Sequence, residues 1–478
     1  MRNESESSRR SFLKAGAAAG TLAGFVRPVR VLGANDRVRL AICGIRGRGM
    51  DHVKRFSKVP GVEIAAVCDI DENVLGTRLG DIEKLDLPKP RTFTDVRKVL
   101  EDKSIDAITV ATPNHWHSLM GIWACQAGKD AYVEKPCSHS WWEGKQLVAA
   151  VNRYDRIVQM GMQSRSSPAL QEAVQNMRNG LLGEVYMARG LCYKWRDTIG
   201  RQPRQAVPAG VHYDLWLGPA PDRGFTLNRF HYNWHWFWDT GNGDLGNQGI
   251  HEMDIARWGL GVKFPSKVSA IGSKVMFDDD QETPNMLTCS YEFAMPGGKT
   301  RLMEFEVRHW MTNHEGEIGT GAYGDSRIPP AGLPTAPAKV AANATTGPTL
   351  GPAPGKPGTI GNLFYGAKGY LGIDGYESYK TWMGEKGEPG PSRRAPENHF
   401  ANFIDCVRSR KKEDLKAPVE EGHYSCTLVH LANASYRLGR TLHFDPATEQ
   451  VIGDEEANRL LRDGDRGYRQ GFTIPERI

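Results

Sequence analysis

Short apolar runs alternate with amphipathic stretches along residues 37–160 of the chain. The apolar runs predict strands and the amphipathic stretches predict helices. The predicted strands cover residues 37–43, 62–67, 105–111, 131–133 and 157–160, and predicted helices cover 50–58, 96–101 and 142–154. Continuous apolar strands separated by helices indicate an α/β domain with a parallel, doubly wound sheet, because helices cover both faces of such a sheet.

The pattern changes after about residue 163. A helix is predicted at 168–179, and strict alternation of apolar and polar residues then predicts strands at 268–275, 287–293 and 301–307. Such strands suit an open, mostly antiparallel sheet with one covered face, so we expect an α+β domain here. Further helices are predicted at 398–409 and 423–438.

A chain of 478 residues is too long for one ordinary core and suggests two domains. We expect these at 35–162 and 163–445, followed by a carboxy-terminal tail at 446–478. Residues 319–361 are rich in Pro, Gly, Ala and Thr and bury little apolar surface, which predicts a long mobile insertion in the second domain.

The first 34 residues carry an export pattern. Ser8-Arg9-Arg10-Ser11-Phe12-Leu13-Lys14 matches a twin-arginine signal, and a short apolar stretch too weak for a membrane span follows at 15–25. We therefore expect export to the periplasm. Because residues 1–34 hold six basic and two acidic side chains, their removal lowers the formal net charge from +5 to near +1. A nucleic-acid footprint is therefore not indicated, and no later segment reads as a transmembrane run.

Eight cysteines are scattered along the chain without a Cys-x-x-Cys pair. Their spacing describes no disulfide framework. Twin-arginine export carries proteins that have already folded in the reducing cytoplasm, so buried free thiols are expected.

A glycine-rich turn lies between the first predicted strand and the first predicted helix, as in dinucleotide-binding folds. It consists of Gly44, Ile45, Arg46, Gly47, Arg48 and Gly49, with Arg46 where the usual G-x-G-x-x-G pattern has its middle glycine. Asp69 follows twenty residues after Gly49, at the end of the second strand. An acidic residue there accepts hydrogen bonds from the adenosine ribose and favours NAD, whereas Arg46 or Arg48 would suit the 2′-phosphate of NADP.

Further motifs follow in order: Thr112-Pro113-Asn114 with His117, then Gly128-Lys129, then Glu134-Lys135-Pro136 at the end of an apolar strand. This order resembles the Gfo/Idh/MocA family, named after glucose–fructose oxidoreductase and inositol dehydrogenase. The resemblance implies a Rossmann domain, an open-sheet carboxy-terminal domain and a sugar or polyol substrate. It places Thr112, Pro113, Asn114, His117, Glu134 and Lys135 beside the nicotinamide.

Residues 241–254, GNGDLGNQGIHEMD, resemble a second signature of that family, in which His251 takes the histidine position. An imidazole suits removal of a hydroxyl proton, and Lys135 could share or relay that proton if burial lowered its pKa. The family usually has an aspartate four residues before the histidine, but this chain has Asn247, which cannot take a proton. Lys135 and His251 are therefore the catalytic candidates, with Asp244 and Asp254 as nearby alternatives.

Candidate substrate ligands come from several segments. The aromatic-rich run at 231–239 suits sugar stacking, although it could equally be a core plug or an oligomer contact. The substrate-binding candidates are Asn247, Asp254, Arg165, Trp234 and Trp238. No metal site is expected, because His115-Trp116-His117 lacks a third ligand.

These features predict an NAD(P)-dependent oxidoreductase that acts on a sugar, polyol or glycoside with a tightly bound cofactor, since the periplasm has no assured nicotinamide supply. Redox-neutral, NAD-dependent glycoside cleavage is the first alternative and a non-catalytic sugar-binding protein the second. We expect a homo-oligomer formed through the carboxy-terminal sheet.

Overall fold

The computed structural model describes residues 37–309, 358–464 and 466–478. The predicted export signal at 1–34 and residues 319–357 of the predicted insertion lie outside these ranges.

Within the described residues, the amino-terminal domain has six parallel strands in the order β3-β2-β1-β4-β5-β6. The strands are β1 (Val38–Cys43), β2 (Val62–Cys68), β3 (Arg91–Phe93), β4 (Ala107–Val110), β5 (Asp130–Val133) and β6 (Val158–Met160). The helices are α1 (Arg48–Phe56), α2 (Glu72–Glu83), α3 (Val96–Glu101), α4 (Asn114–Gln126) and α5 (Trp141–Tyr154). This is the predicted doubly wound parallel sheet.

The strand order reverses between β1 and β4, which pair in parallel with Cys43 opposite Val110. Val110 in turn lies opposite Val133 of β5. In open α/β sheets, ligands bind outside the carboxyl ends of the strands at such a reversal. The loops after Cys43, Val110 and Val133 therefore lie together, and they carry the motifs singled out from the sequence.

The described part of the second domain holds a sheet of eleven strands, mostly antiparallel, with a parallel pair of β7 and β10 inside it. Its main strands are β7 (Val185–Lys194), β8 (Lys267–Ser273), β9 (Met286–Ala294), β10 (Thr300–Arg308), β11 (Gly358–Gly366), β12 (Gly369–Asp374) and β13 (Ser378–Met383). Short strands at its edges are β14 (Glu388–Pro389), β15 (Arg393–Arg394), β16 (Leu442–Asp445) and β17 (Gln450–Val451). The helices that follow β6 are α6 (Pro168–Arg178), α7 (Tyr213–Leu217), α8 (Ile250–Leu260), α9 (His399–Ser409), α10 (Val419–Leu438) and α11 (Glu455–Asp463).

One face of this sheet is covered and the other is open, as the alternation predicted. Helices α8 and α10 pack on the covered face. Along β9, buried side chains alternate with exposed ones.

Three predicted boundaries differ from the structure. Residues 358–361, placed in the insertion, begin β11 and pair with β7, with Thr359 opposite Tyr193. Helix α9, placed in the second domain, packs Phe400 and Phe403 into the core of the first. The tail at 446–478 contains β17 and α11, and its Phe472 is buried against Trp116.

All eight cysteines are buried and free, as expected for a protein folded under reducing conditions. In the described ranges no helix has the length and apolar character needed to cross a membrane.

Candidate active site

The glycine-rich turn after β1 has the geometry of an anion cradle. Gly44 has φ +82°, and a Cβ on Gly49 would lie 2.0 Å from the Gly44 carbonyl oxygen. Gly47 begins α1 without a side-chain cap, which leaves the first backbone N–H groups of the helix available to a ligand. These groups and the helix dipole suit a pyrophosphate.

Asp69 closes the other side of this turn. Its carboxylate accepts hydrogen bonds from the backbone N–H groups of Ile45 at 2.9 Å and Asp71 at 3.1 Å. Burial raises the pKa of Asp69 to about 6, against the opposing effect of these hydrogen bonds. Asp69 is therefore mostly ionised at neutral pH and can accept further bonds from a ribose.

A cavity of about 780 Å³ runs from this turn to Lys135. Arg46, Asp69 and Arg78 line one end, and Lys135 and Asn247 line the other. The predicted cofactor residues along it are Gly44, Gly47, Arg48, Thr112, Pro113, Asn114, His117 and Glu134. Gly49 shapes the turn from behind. The residues present therefore fit a dinucleotide in size and in chemistry.

The loops after β4 and β5 are tied together beneath this cavity. The His117 ring lies between the carbonyl oxygens of Pro136, 2.6 Å from Nδ1, and Thr112, 2.8 Å from Nε2. The Asn114 side chain donates to Asn242 Oδ1 at 3.0 Å. These bonds fix the backbone around Lys135, which precedes Pro136 through a cis peptide bond.

Glu134 is a fixed anion next to Lys135. Its Oε1 accepts from Arg48 Nε at 2.7 Å and lies 3.0 Å from His52 Nε2. Burial alone would raise the pKa of Glu134, but Arg48 and His52 hold it well below its usual range. Glu134 therefore orients its neighbours and does not exchange protons near neutral pH.

Lys135 is a buried amine that lines the cavity. Its Nζ donates to the Asn247 carbonyl oxygen at 2.5 Å. Burial lowers the pKa of Lys135 to about 8, although the Glu134 carboxylate raises it. About a tenth of Lys135 is then uncharged at pH 7, and this form can accept a proton.

Asn247 lies in a π-helical turn at Leu245–Gly249 that leads into α8. Its side-chain amide donates to Asp244 Oδ1 at 3.1 Å. Asp244 is itself buried and paired with Arg196 at 2.9 Å and with His309 at 2.6 Å. Asn247 therefore links Lys135, through its carbonyl oxygen, to this buried charge cluster.

His251 lies one helical turn beyond Asn247 and does not line the cavity. It is 6% exposed, its ring centroid lies 5.0 Å from that of Tyr376, and its Nδ1 has no hydrogen-bond partner among the described residues. Burial and the nearby Lys135 charge hold the pKa of His251 well below its ordinary value. The imidazole is therefore neutral and sits behind Lys135.

Three predicted substrate ligands lie away from the cavity. Asp254 is fully buried and forms a two-pronged ion pair with Arg165 at 2.7 and 2.9 Å, which leaves neither side chain free for a sugar. Trp238 packs against Arg437, with the guanidinium 5.3 Å from its ring. Of the aromatic candidates, Trp234 does line the cavity.

Sequence reasoning missed Leu215, Trp216 and Phe230 in the outer wall of the cavity; the other residues of this wall lie in the aromatic-rich run at 231–239. This wall consists of Leu215, Trp216, Phe230, His231, Tyr232 and His235. The aromatic-rich run at 231–239 was visible in the sequence, but which of its rings face inward depends on folding of the whole loop. In the described ranges no group of three or more His, Cys, Asp or Glu side chains is placed to hold a metal ion.

Two family models cover most of the described chain. Residues 38–162 match the oxidoreductase family with an NAD-binding Rossmann fold. Residues 170–292 and 390–470 match the carboxy-terminal alpha/beta domain of the same oxidoreductase family. The chain belongs to the Gfo/Idh/MocA family. Its amino-terminal domain is thus an NAD-binding Rossmann domain, in agreement with the turn at Gly44 and the carboxylate of Asp69.

Curated relatives in the family match part of the chain. A glycosyl hydrolase family 109 protein of Shewanella pealeana is 35% identical over 155 residues, which are 31% of this chain and 34% of the relative. An alpha-N-acetylgalactosaminidase of Shewanella oneidensis is 33% identical over 153 residues, 31% of this chain and 33% of the relative. The match thus spans about a third of the length of these relatives.

Solved structures extend the similarity across both domains. An aldose-aldose oxidoreductase from Caulobacter crescentus, complexed with glycerol, has a TM-score of 0.58 at 18% identity and covers 85% of this chain and 100% of that chain. A levoglucosan dehydrogenase complexed with NADH and levoglucosan has a TM-score of 0.58 at 14% identity, with 88% and 100% covered. At these identities the comparison shows that the Gfo/Idh/MocA fold is shared.

Proposed function

We propose that the protein is a nicotinamide-dependent oxidoreductase acting on a hydroxyl-bearing carbon of a sugar, polyol or glycoside. When bound, the nicotinamide accepts or returns the hydrogen and electron pair of that carbon. The observation that carries the proposal is Lys135, a buried amine with a pKa of about 8 at the end of a dinucleotide-sized cavity.

The residues around Lys135 supply the rest of the chemistry. Lys135 takes the hydroxyl proton during oxidation and returns it during reduction. The carbonyl oxygen of Asn247 accepts a hydrogen bond from Lys135 Nζ and so fixes its position. Glu134 and Arg48 form an ion pair that does not titrate near neutral pH and that holds the loop after β5. His251 is buried and neutral and takes no part in the proton transfer.

The wall above the cavity supports retention of the cofactor. Residues 209–216, which we call the clasp, contribute Leu215 and Trp216 to the cavity lining and are hydrogen-bonded at both ends. On one side Glu72 N donates to the Gly210 carbonyl at 2.9 Å and Asn73 Nδ2 to the Ala209 carbonyl at 3.0 Å. On the other, Trp116 Nε1 donates to the Trp216 carbonyl at 3.0 Å. A dinucleotide beneath the clasp leaves only when some of these bonds open.

A substrate panel on the purified protein tests the proposed activity. D-Glucose, D-galactose, N-acetyl-D-galactosamine and myo-inositol are added with NAD, and reduced nicotinamide is followed by absorbance and fluorescence. We expect the wild-type protein to reduce NAD with at least one of these sugars and Lys135→Met to reduce it with none. The proposal is contradicted if the wild-type protein binds NADH but, like Lys135→Met, reduces NAD with none of the four sugars.

The clasp has its own test. Asn73→Ala combined with Trp116→Phe removes one bond on each side, and we expect NADH release to accelerate about tenfold or more. Lys98→Ala, an exposed change on α3, is the matched control. Equal release rates in all three proteins would falsify retention by the clasp without affecting the proposed reaction.

Redox-neutral glycoside cleavage is a second candidate, favoured by the family 109 relatives that match 31% of this chain. Oxidation of a sugar hydroxyl acidifies the adjacent C–H, which permits elimination of the leaving group, followed by addition of water and reduction. Release of p-nitrophenol from p-nitrophenyl N-acetyl-α-D-galactosaminide without accumulation of NADH selects this reading. A non-catalytic sugar-binding protein would instead bind sugar equally well in Lys135→Met and reduce no cofactor.

Location and assembly follow as further proposals. The twin-arginine pattern supports periplasmic export, which fractionation of cells with and without Arg9→Lys/Arg10→Lys tests. The open face of the second sheet carries exposed Leu302 and Tyr370 and supports homo-oligomer formation there. Light scattering after Leu302→Glu is expected to show smaller particles than wild type.

A further inference from the structure

In the described part of the chain, His235 is one of three histidines that line the cavity, whereas His251 does not line it. His235 lines the cavity with Lys135 and is 8% exposed. Its Nδ1 lies 2.5 Å from the Tyr232 carbonyl oxygen. A carbonyl oxygen only accepts, so Nδ1 carries the ring proton and Nε2 carries a lone pair.

The lone pair on Nε2 is free to bind a ligand. Among the described residues, Nε2 of His235 has no hydrogen-bond partner. It is also absent from the set of unpaired side-chain atoms that are fully buried, so it is accessible to solvent. The ring is also held rigidly, because Trp234 stacks on it with centroids 3.6 Å apart. A fixed acceptor that faces a cavity and lacks a partner in the protein is suited to a hydroxyl donor.

The surroundings keep this acceptor uncharged. Burial lowers the pKa of His235 to about 3, and the positive charges of Lys135 and Arg196 act in the same direction. His235 is therefore neutral throughout the physiological range. It accepts hydrogen bonds but takes up no proton, and the proton chemistry stays with Lys135.

We propose that His235 is a substrate-binding residue whose Nε2 accepts a hydrogen bond from a second hydroxyl group of the sugar held at Lys135. The proposal rests on the proposed function for the identity of the ligand class. His235, which lies outside the two family signatures, would therefore contribute to substrate specificity. A sugar with a second hydroxyl group next to the one that is oxidised is preferred over the analogue that lacks this second hydroxyl.

Two variants separate this role from a structural one. Asn at position 235 can still donate to the Tyr232 carbonyl but has no acceptor at the Nε2 position, whereas Gln places an amide oxygen there. For the panel sugar that the wild type oxidises best, we expect KM to rise about tenfold to a hundredfold in His235→Asn, with kcat and NADH affinity little changed. His235→Gln is expected to recover part of this loss. A wild-type KM in His235→Asn, with NADH bound normally, overturns the proposal.

Chemical labelling tests the tautomer and the exposure without any activity. Diethylpyrocarbonate acylates accessible, unprotonated imidazole nitrogens, and peptide mass spectrometry locates the product. His443, exposed on β16, is the positive control, and His52, fully buried, is the negative control. We expect His235 to be labelled, with protection by NADH plus the panel sugars; an unlabelled His235 beside a labelled His443 overturns the proposal. If no sugar is oxidised by wild type, the proposed function fails while this labelling still reports on His235.

Discussion

Lys135 and Glu134 are adjacent in sequence and buried together, yet their environments drive them to opposite roles. Arg48 and His52 stabilise the charged form of Glu134, so its pKa stays well below the usual range. The Lys135 ammonium donates to the Asn247 carbonyl oxygen and to no carboxylate among the described residues, and burial lowers its pKa to about 8. Both pKa values are lowered, but for different reasons: paired cations stabilise the Glu134 carboxylate, whereas burial destabilises the Lys135 ammonium.

The pH dependence of sugar oxidation should report this amine. Oxidation needs the uncharged form of Lys135, so the rate is expected to rise with pH and to level off above about pH 8. The positive charge of oxidised nicotinamide disfavours the ammonium form of Lys135 further, so the rising limb of the pH–rate profile moves toward lower pH. Lys135→Arg keeps a positive charge but cannot release a proton, so the rate should fall about a hundredfold to ten-thousandfold. Initial rates from about pH 6 to about pH 10 check this, and an unchanged limb in the variant contradicts it.

For single residues, the sequence predicts the surroundings of a side chain when the residue directly follows a strand of the parallel sheet. Asp69 and Lys135 follow strands of the parallel sheet, so their presence at the cavity could be predicted from local pattern alone. Arg165 and Asp254 could not be judged in this way. They lie 89 positions apart and satisfy each other in the interior, and nothing local in the sequence reveals such a partner.

Helix α8 places ionisable side chains in the protein core. Ten of its eleven residues are buried, including Glu252, Asp254 and Arg257. Asp254 is neutralised by Arg165, whereas the only described hydrogen-bond donor to the Glu252 side chain is Gln248, at 2.9 Å. Burial raises the pKa of Glu252 from 4.5 to about 8. Glu252 is therefore protonated in the folded protein at neutral pH.

Glu252 should make the protein less stable as the pH rises. Below pH 4.5 the carboxyl is protonated in both states; between 4.5 and about 8 only the unfolded state releases the proton, so the free energy of unfolding falls across this interval. Above about 8 both states are ionised and the loss is complete. Glu252→Gln should flatten this decline and raise stability at pH 8 by about 1 kcal/mol or more. Urea unfolding at acidic, neutral and alkaline pH measures it.

The exposed Glu385→Gln, in the turn after β13, is the matched control for Glu252→Gln and should leave the pH dependence unchanged. A decline of equal slope in wild type and Glu252→Gln contradicts the prediction.

Element boundaries were predictable where the sequence carries a stop signal. Helix α6 begins at Pro168 and ends just before Gly180, within one residue of the expected 168–179. Strands β11 to β13 were not predicted; glycines interrupt the apolar alternation of β11 and β12. Residues 358–361, GTIG, resemble the preceding segment in composition, and only pairing with β7 makes them a strand.

At the scale of the whole molecule, the two domains share an interior. Helix α9 lies in sequence between strands of the second sheet, but Phe400 stacks on Tyr132 of β5 with centroids 5.3 Å apart and meets Phe56 of α1 at 4.9 Å. Tyr132 lies two residues before Glu134, so α9 also supports the strand that presents Lys135. The first domain therefore depends on residues more than 200 positions beyond its predicted end. Sequence periodicity shows that α9 is amphipathic but not which sheet covers it.

Phe403 tests this dependence. It is fully buried, 6.1 Å from Phe56 and 5.8 Å from Tyr132 between ring centroids. Phe403→Ala should lower the free energy of unfolding of the Rossmann domain by about 3–5 kcal/mol, the cost of a large cavity in a core. Phe293→Ala, at a buried position of β9, is the matched change in the second domain. Denaturant unfolding followed by NADH fluorescence reports the first domain, and circular dichroism reports both. If α9 belonged to the core of the second domain alone, Phe403→Ala would shift the NADH-detected midpoint no more than Phe293→Ala does; the shared core requires Phe403→Ala to shift it further.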